Sequence, residues 1–276
     1  MSGQSYGLSK EQIQFYRENG YLQIHNLISP EEAEQIKQTM LKAIQKYDEI
    51  KARQGENFKF AKTLYGKVLD QRVNLWQADP EIKKVSLNNY FGEIARQLVG
   101  TSKIHLFHDQ ALLKPSGDMN ETPWHQDRPY WPMNGEGALS IWIALDDVDE
   151  NNGCMCFIPR SRNFGAVAEI DLEKPQDIFK ALKAGQQVDA VKVMKMKKGS
   201  ATFHDGLTFH YAFANKTSLP RHAMVMIYFP DGVGYSGKKH MVTDPLNLTL
   251  GEPLAGETFP VVAEGRVLLP VEEVLT

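Results

Sequence analysis

The segment TPWHQDRPYWP sets His125 and Asp127 two positions apart. On an extended backbone alternate side chains leave the same face, so one imidazole and one carboxylate there can share a metal ion. Such a pair arises often by chance, and a second histidine is what makes it a ligand set. His210, in HDGLTFHYAFANKT after a turn-like Asp205-Gly206, is the expected third ligand. Two imidazoles and one carboxylate leave three cis positions open on the ion. That arrangement suits Fe(II) chemistry in which a bidentate cosubstrate and O2 bind together.

Arg221 follows His210 by eleven positions and opens the apolar run HAMVMIYF. An arginine inside a barrel needs an anion. The distal carboxylate of 2-oxoglutarate would satisfy it through a bidentate charge-assisted pair that lysine cannot match geometrically. Without that arginine the same three ligands would serve Zn2+ in a hydrolase or lyase. A third reading is a jelly roll that keeps its metal as a silent sensor or binding module. Other histidines have plainer expectations. His105 and His108 are three apart on one strand and should face opposite sides, so they are not a ligand pair. His204, His222 and His240 are expected to be structural, and Cys154 and Cys156 to be small buried apolar residues.

Several landmarks then occur in order: His125-Gln126-Asp127, Trp142 in LSIWIALDDV, Asn151-Asn152-Gly153-Cys154 with Pro159, His210 with Asn215-Lys216-Thr217, and Arg221. Over roughly Thr122 to Phe229 this order resembles the phytanoyl-CoA dioxygenase family. The resemblance implies a double-stranded β-helix (a cupin-like jelly roll) that binds Fe(II) through His125, Asp127 and His210 and 2-oxoglutarate through Arg221. It further implies that Gln126 lies beside the metal, that Trp142 and Asn215 belong to the cosubstrate pocket, and that Lys114 is a further contact there. The implied reaction consumes O2 and 2-oxoglutarate, releases succinate and CO2, and hydroxylates an aliphatic C–H bond. Asp127 fits hydroxylation, since related halogenases carry a small residue at that position. Ala212 stands where the family often has a hydroxyl, and Tyr211 and Phe213 make this stretch bulkier than the family's glycine-rich version.

These residues need a scaffold. Ser9 as a cap, with Asn19-Gly20 as a stop, predicts a first helix, followed by a short strand at Tyr21, Leu22 and Ile24. Ser29, Pro30, Glu31 and Glu32 open a second helix whose Ala33, Ile36, Met40 and Ile44 repeat at helical spacing. A third helical region is expected from Asp79 to Val99, closed by Gly100. Short strands are predicted afterwards at Ile104–Leu113, Ala138–Leu145, Cys154–Ile158, Val188–Val193, Ser200–Phe203, His222–Phe229 and Val261–Leu269. The strands predict an antiparallel sandwich or barrel with the helices outside it, and with the resemblance the expected fold is mainly β with flanking helices: one domain over residues 1–276, mostly helical to 100, with a jelly-roll core from 101. Residues 160–187 exceed an ordinary connection and are expected to form a lid-like excursion. The aromatic-proline loop of Arg128, Tyr130 and Trp131 is the other expected substrate contact.

Composition narrows the partners. The 276 residues are 42% hydrophobic and 24% charged, with a formal net charge of −3, so there is no electrostatic footprint for nucleic acid or anionic lipid. The first residues lack a basic segment followed by an apolar core, and no stretch approaches the roughly 18 apolar residues of a membrane span. A cytoplasmic monomer or homodimer acting on a small molecule is expected.

Overall fold

The computed structural model describes residues 7–54, 70–117, 120–167, 169, 180 and 187–267. Most of the predicted 160–187 excursion and the end of the predicted Val261–Leu269 strand lie outside them.

Helix α1 (Lys10–Asn19) begins with a capping box between Ser9 and Gln12 and ends at Gly20, whose φ of 81° is left-handed. Strand β1 (Tyr21–Ile24) follows, and then α2 (Pro30–Gln54), where Ser29 and Glu32 exchange backbone hydrogen bonds in a second capping box. Strand β2 (Asp70–Val73) and the single turn α3 (Leu75–Ala78) were not expected. The third helical region is two helices, α4 (Pro80–Ser86) and α5 (Asn89–Val99). The break is local: Asn88 accepts from the Tyr90 N–H and so caps a new helix where a continuous one was predicted.

The remaining strands are β3 (Lys103–Lys114), β4 (Thr122–His125), β5 (Met133–Asn134), β6 (Leu139–Ala144), β7 (Met155–Phe157), β8 (Lys192–Met194), β9 (Ala201–Asp205), β10 (His210–Ala212), β11 (Arg221–Pro230), β12 (Gly234–Tyr235) and β13 (Val261–Glu264). The strand expected at Val188–Val193 forms only from Lys192, where β8 pairs with β7. A major antiparallel sheet runs β1-β9-β6-β11-β3-β13, with β2 also on β3, and a smaller sheet runs β4-β10-β7-β8. The two sheets form a jelly roll.

The major sheet is buried on both faces. Along β6, Leu139, Ile141 and Ile143 join a core with helix residues such as Ile36, Met40, Phe91 and Ile94, while Trp142 and Ala144 join the core between the sheets. On β11, Met224, Met226 and Tyr228 go to the helices, and Ala223 and Val225 go inward. The helices thus cover one face of the sheet and leave the other for the barrel interior.

One irregularity changes the reading of β3. Ile227 pairs with His108 and Tyr228 with Leu106, so Phe107 is an extra residue, a β-bulge. The bulge shifts the alternation by one, and His105 and His108 leave the same face, not opposite faces. They still share no ligand position. His105 bonds the Phe259 carbonyl and Asp231 and stacks on Phe229, whereas His108 stacks on His240.

Candidate metal and cosubstrate site

Strand β10 lies between β4 and β7, and His210 is paired directly with His125 across β4–β10. Opposed residues on neighbouring strands bring their side chains together, and the two imidazole centroids are 4.0 Å apart. Asp127 arrives differently. Strand β4 ends at His125, and Asp127 has helical φ and ψ of −76° and −39°, at the start of a 3-10 turn over Arg128–Tyr130. The expectation that strand alternation aligns His125 with Asp127 is therefore corrected: the turn swings the carboxylate back under the strand. His125, Asp127 and His210 each offer a ligand atom, and all three atoms lie within 4.8 Å of one another.

Hydrogen bonds fix which atoms face the centre. His125 Nδ1 is 2.7 Å from the Pro123 carbonyl and His210 Nδ1 is 3.0 Å from the Thr208 carbonyl. A carbonyl only accepts, so each Nδ1 donates and each Nε2 presents a lone pair. These Nε2 atoms are 3.7 and 3.6 Å from Asp127 Oδ1. The other oxygen, Oδ2, accepts from Ser140 Oγ at 2.8 Å and lies 3.5 Å from His204 Nε2. Burial, with His210 beside it, pushes His125 down to about 3; burial also lowers His210 to about 4, against the pull of Asp127. Burial opposes ionisation of Asp127, but His210, then His204 and His125, outweigh it and hold the carboxyl well below the usual range. Neutral imidazoles and an anionic carboxylate at neutral pH are the protonation states that a 2-His-1-carboxylate iron centre requires, so the donor set fits Fe(II).

The three ligands open into a cavity of about 120 Å³. Arg221, 2% exposed at the start of β11, reaches it with its guanidinium 5.3 Å from the centre of the Trp142 ring, and both side chains line it. The register of the major sheet separates the levels: Ser140 is opposite Ile227, Trp142 opposite Val225, and Arg221 lies farther along β11, opposite Lys114. Trp142 therefore sits between the metal level and the buried cation. The turn at Gly153 closes against this end. A Cβ there would come within 2.8 Å of the Phe213 carbonyl oxygen and 2.9 Å of the Lys114 stem, and φ is +96°. Only glycine fits that approach without strain.

Other predicted site residues are placed differently. Gln126 is 1% exposed and does not line the cavity; its amide donates to the Gly165 and Leu207 carbonyls and accepts from the Val167 N–H. It ties the loop after β7 to the turn before β10. Asn215 donates to the Lys114, Pro115 and Leu219 carbonyls and anchors the entry to β11 behind Arg221. Lys114 Nζ donates to the Asn120 carbonyl, outside the cavity lining. Arg128 is spent on its own loop, donating to the Trp131, Met133 and Gly135 carbonyls, whereas Tyr130 and Trp131 do line the cavity. Tyr211 stacks on Trp124 and donates to Glu121, and Phe213 packs edge-on against Tyr211. Their bulk is directed away, and it is Ala212 that faces the site.

Sequence reasoning left out Ser140, read His108 only as no ligand partner of His105, and assigned His204 and His240 to structure, yet all four line the cavity. For His204 the signal was its place one residue before Asp205-Gly206, on the strand that leads to His210. Ser140 carried no such signal. Cys154 and Cys156 are buried, with burial pushing each thiol up to about 12, as small apolar residues would be. Among the described residues no helix is long and apolar enough to cross a membrane.

A family model described as phytanoyl-CoA dioxygenase (PhyH) matches residues 16–223. An ectoine dioxygenase of Bordetella bronchiseptica is 28% identical over 245 residues, covering 80% of this chain and 75% of that protein. Phytanoyl-CoA dioxygenase domain-containing protein 1 of Danio rerio is 24% identical over 257 residues, covering 78% and 88%. Among solved structures, the non-haem alpha-ketoglutarate-dependent carbocyclase SnoK from nogalamycin biosynthesis is similar with a TM-score of 0.76 at 25% identity, over 92% of this chain and 96% of that one. EctD from S. alaskensis, solved with 2-oxoglutarate and 5-hydroxyectoine, shares the fold with a TM-score of 0.64 at 18% identity, over 81% and 76%.

Proposed function

The chain belongs to the phytanoyl-CoA dioxygenase family of iron- and 2-oxoglutarate-dependent oxygenases, and from that premise we propose that it hydroxylates an aliphatic C–H bond of a small organic molecule. The observation that carries the reading is the convergence of two imidazole Nε2 atoms and Asp127 Oδ1 in the cavity that Arg221 enters. When bound, Fe(II) and 2-oxoglutarate supply an oxidant generated from O2, with succinate and CO2 as coproducts.

The protein's own residues bind, orient and exclude water. His125 and His210 are held in one tautomer by the Pro123 and Thr208 carbonyls, so their Nε2 lone pairs are aimed before any metal arrives. Asp127 gives Oδ1 to the metal and keeps Oδ2 for Ser140 and His204. Arg221 takes the distal carboxylate of 2-oxoglutarate through its planar fork, with Trp142 stacked beside it. Gln126 and Asn215 act at one remove, by holding the loops that carry the ligands and the arginine. Tyr130 and Trp131 line the cavity and, with Ile227, Val225 and Leu112, keep the reacting centre dry. Arg221 also argues against Zn2+ hydrolysis, which has no use for a buried cation facing the metal.

Anaerobic addition of Fe(II) and 2-oxoglutarate is expected to produce a visible charge-transfer band, and admission of air to convert 2-oxoglutarate to succinate. Absence of both would leave the silent binding module as the surviving reading.

A further inference from the structure

The wall formed by β2 and β3 carries polar groups that neither the iron ligands nor Arg221 use. Gln71 on β2 lines the cavity, is 3% exposed, and its amide oxygen meets no hydrogen-bond donor among the described residues. Buried carbonyl oxygens are normally satisfied, so this one awaits a donor inside the cavity. His108 Nδ1 is 3.2 Å from the Asp109 carbonyl; that nitrogen carries the hydrogen, and Nε2 is left as an acceptor. His240 is the opposite tautomer: its Nδ1 accepts from the Val242 N–H at 3.2 Å, so its Nε2 donates. The two rings are stacked, 5.7 Å apart and tilted by 20°, and the hydrogen bonds of each ring to the described residues are made by Nδ1. Both rings are neutral, burial pushing His108 down to about 3 and His240 to about 4.

The spacing sets the size of what fits. Gln71 pairs with Leu112, four residues along β3 from His108, about 13 Å between backbone positions. Between them Val73, Leu112, Ile227 and Met241 supply apolar surface. Histidines aside, Asp127 and Arg221 are the charged side chains among the described residues of the lining, and the reading above assigns them to iron and 2-oxoglutarate.

We propose that this wall recognises the substrate, and that the substrate is an uncharged, hydroxyl-bearing molecule with an apolar body. Its hydroxyls donate to Gln71 Oε1 and His108 Nε2 and accept from His240 Nε2. A carboxylate would set its lone pairs against two acceptors, and an ether has no hydrogen to give. The inference rests on the oxygenase reading for the assignment of Asp127 and Arg221.

Anaerobic protein supplied with Fe(II) and 2-oxoglutarate can be titrated with decalin-2,6-diol, its dimethyl ether and the corresponding dicarboxylate. Binding is followed by the fluorescence of Trp131 and Trp142, and the iron chelate by its visible band. The diol is expected to bind at least about ten-fold more tightly than either analogue, Gln71→Leu to weaken the diol by about ten-fold while leaving the ether unchanged, and His240→Phe to weaken diol and ether alike, since both oxygens accept from its Nε2. An ether equal to the diol, a preferred dicarboxylate, no response to the diol, or variants that bind the diol undiminished would overturn the proposal. A missing band with the diol preference intact supports the recognition wall and faults the iron reading alone.

Discussion

Ser140 Oγ donates to Asp127 Oδ2 at 2.8 Å, while Asp127 Oδ1 faces the Nε2 atoms of His125 and His210. The bond crosses from the start of β6 to the turn after β4, and it decides which carboxylate oxygen is available to a metal. Hydrogen-bonded partners of metal ligands typically contribute about 10- to 100-fold in metal affinity. Ser140→Ala is expected to weaken Fe(II) binding by about ten-fold, because His204 still touches the same oxygen. Competition titration with a metal chelator measures it, and an unchanged affinity would assign the orienting role to His204 alone.

Arg221 is buried against Trp142, and its guanidinium is the feature that separates a dicarboxylate site from a generic metal site. Arg221→Leu should raise the Kd for 2-oxoglutarate by about 100-fold, and Arg221→Lys by less, since a point charge replaces a planar fork. Fe(II) affinity should not move in either. Calorimetric titration of 2-oxoglutarate into the metal-loaded variants checks the order.

Gly153 closes the turn after β6 against the Lys114 stem, and a Cβ built there would lie 3.5 Å from Arg221 Nη2. Gly153→Ala adds a methyl group that meets the Phe213 carbonyl, at a φ that L residues avoid. The expected cost is about 1–3 kcal/mol of stability, together with weaker 2-oxoglutarate binding because Arg221 is displaced. Chemical denaturation and the same titration read the two effects; a loss of stability with intact cosubstrate affinity would confine the glycine to folding.

Asp109 gives a pH prediction away from the site. It is buried beneath α3 and α4, accepts from Ser86 and from the Trp76 N–H on Oδ2, and has no hydrogen-bond partner on Oδ1 among the described residues. Burial pushes its carboxyl up to about 7. The folded protein therefore holds a proton there that the unfolded chain has lost above about pH 4. Stability from this group is full below that pH and declines as pH rises towards 7. His108 and His240, pushed down by burial, act in the opposite sense: the unfolded chain takes up protons below about pH 6.5, so their contribution falls as pH drops. Asp109→Asn should stabilise the protein at pH 8 relative to pH 5 by about 1–3 kcal/mol. Melting curves of both proteins across that range show whether the alkaline loss disappears.

These helix boundaries were readable because capping is local: Ser9, Ser29 and Gly100 act within a turn or two of their own position. The β-bulge at Phe107 was not, since it is a relation between β3 and β11 that leaves no mark in the order of residues. The reading that set His105 and His108 on opposite faces failed for that reason. Gln126 and Arg128 were misjudged in another way. Both sit beside a metal ligand in sequence, yet their polar groups were claimed by carbonyls of their own and distant loops.

Residue types and spacing alone pointed to the three candidate ligands, the arginine and its dicarboxylate, and to an antiparallel sandwich or barrel, because a ligand set and its counter-ion are matters of chemical identity and order; the jelly roll was what the family resemblance implied. The tertiary structure decided the rest. It set His125 opposite His210 by pairing β4 with β10, turned Asp127 out of the strand, and divided its two oxygens between metal and Ser140. It also brought Gln71, His108 and His240 onto one cavity from segments far apart in the chain. Contacts of that range depend on strand order and register, which the burial of two apolar faces determines for the whole sheet at once.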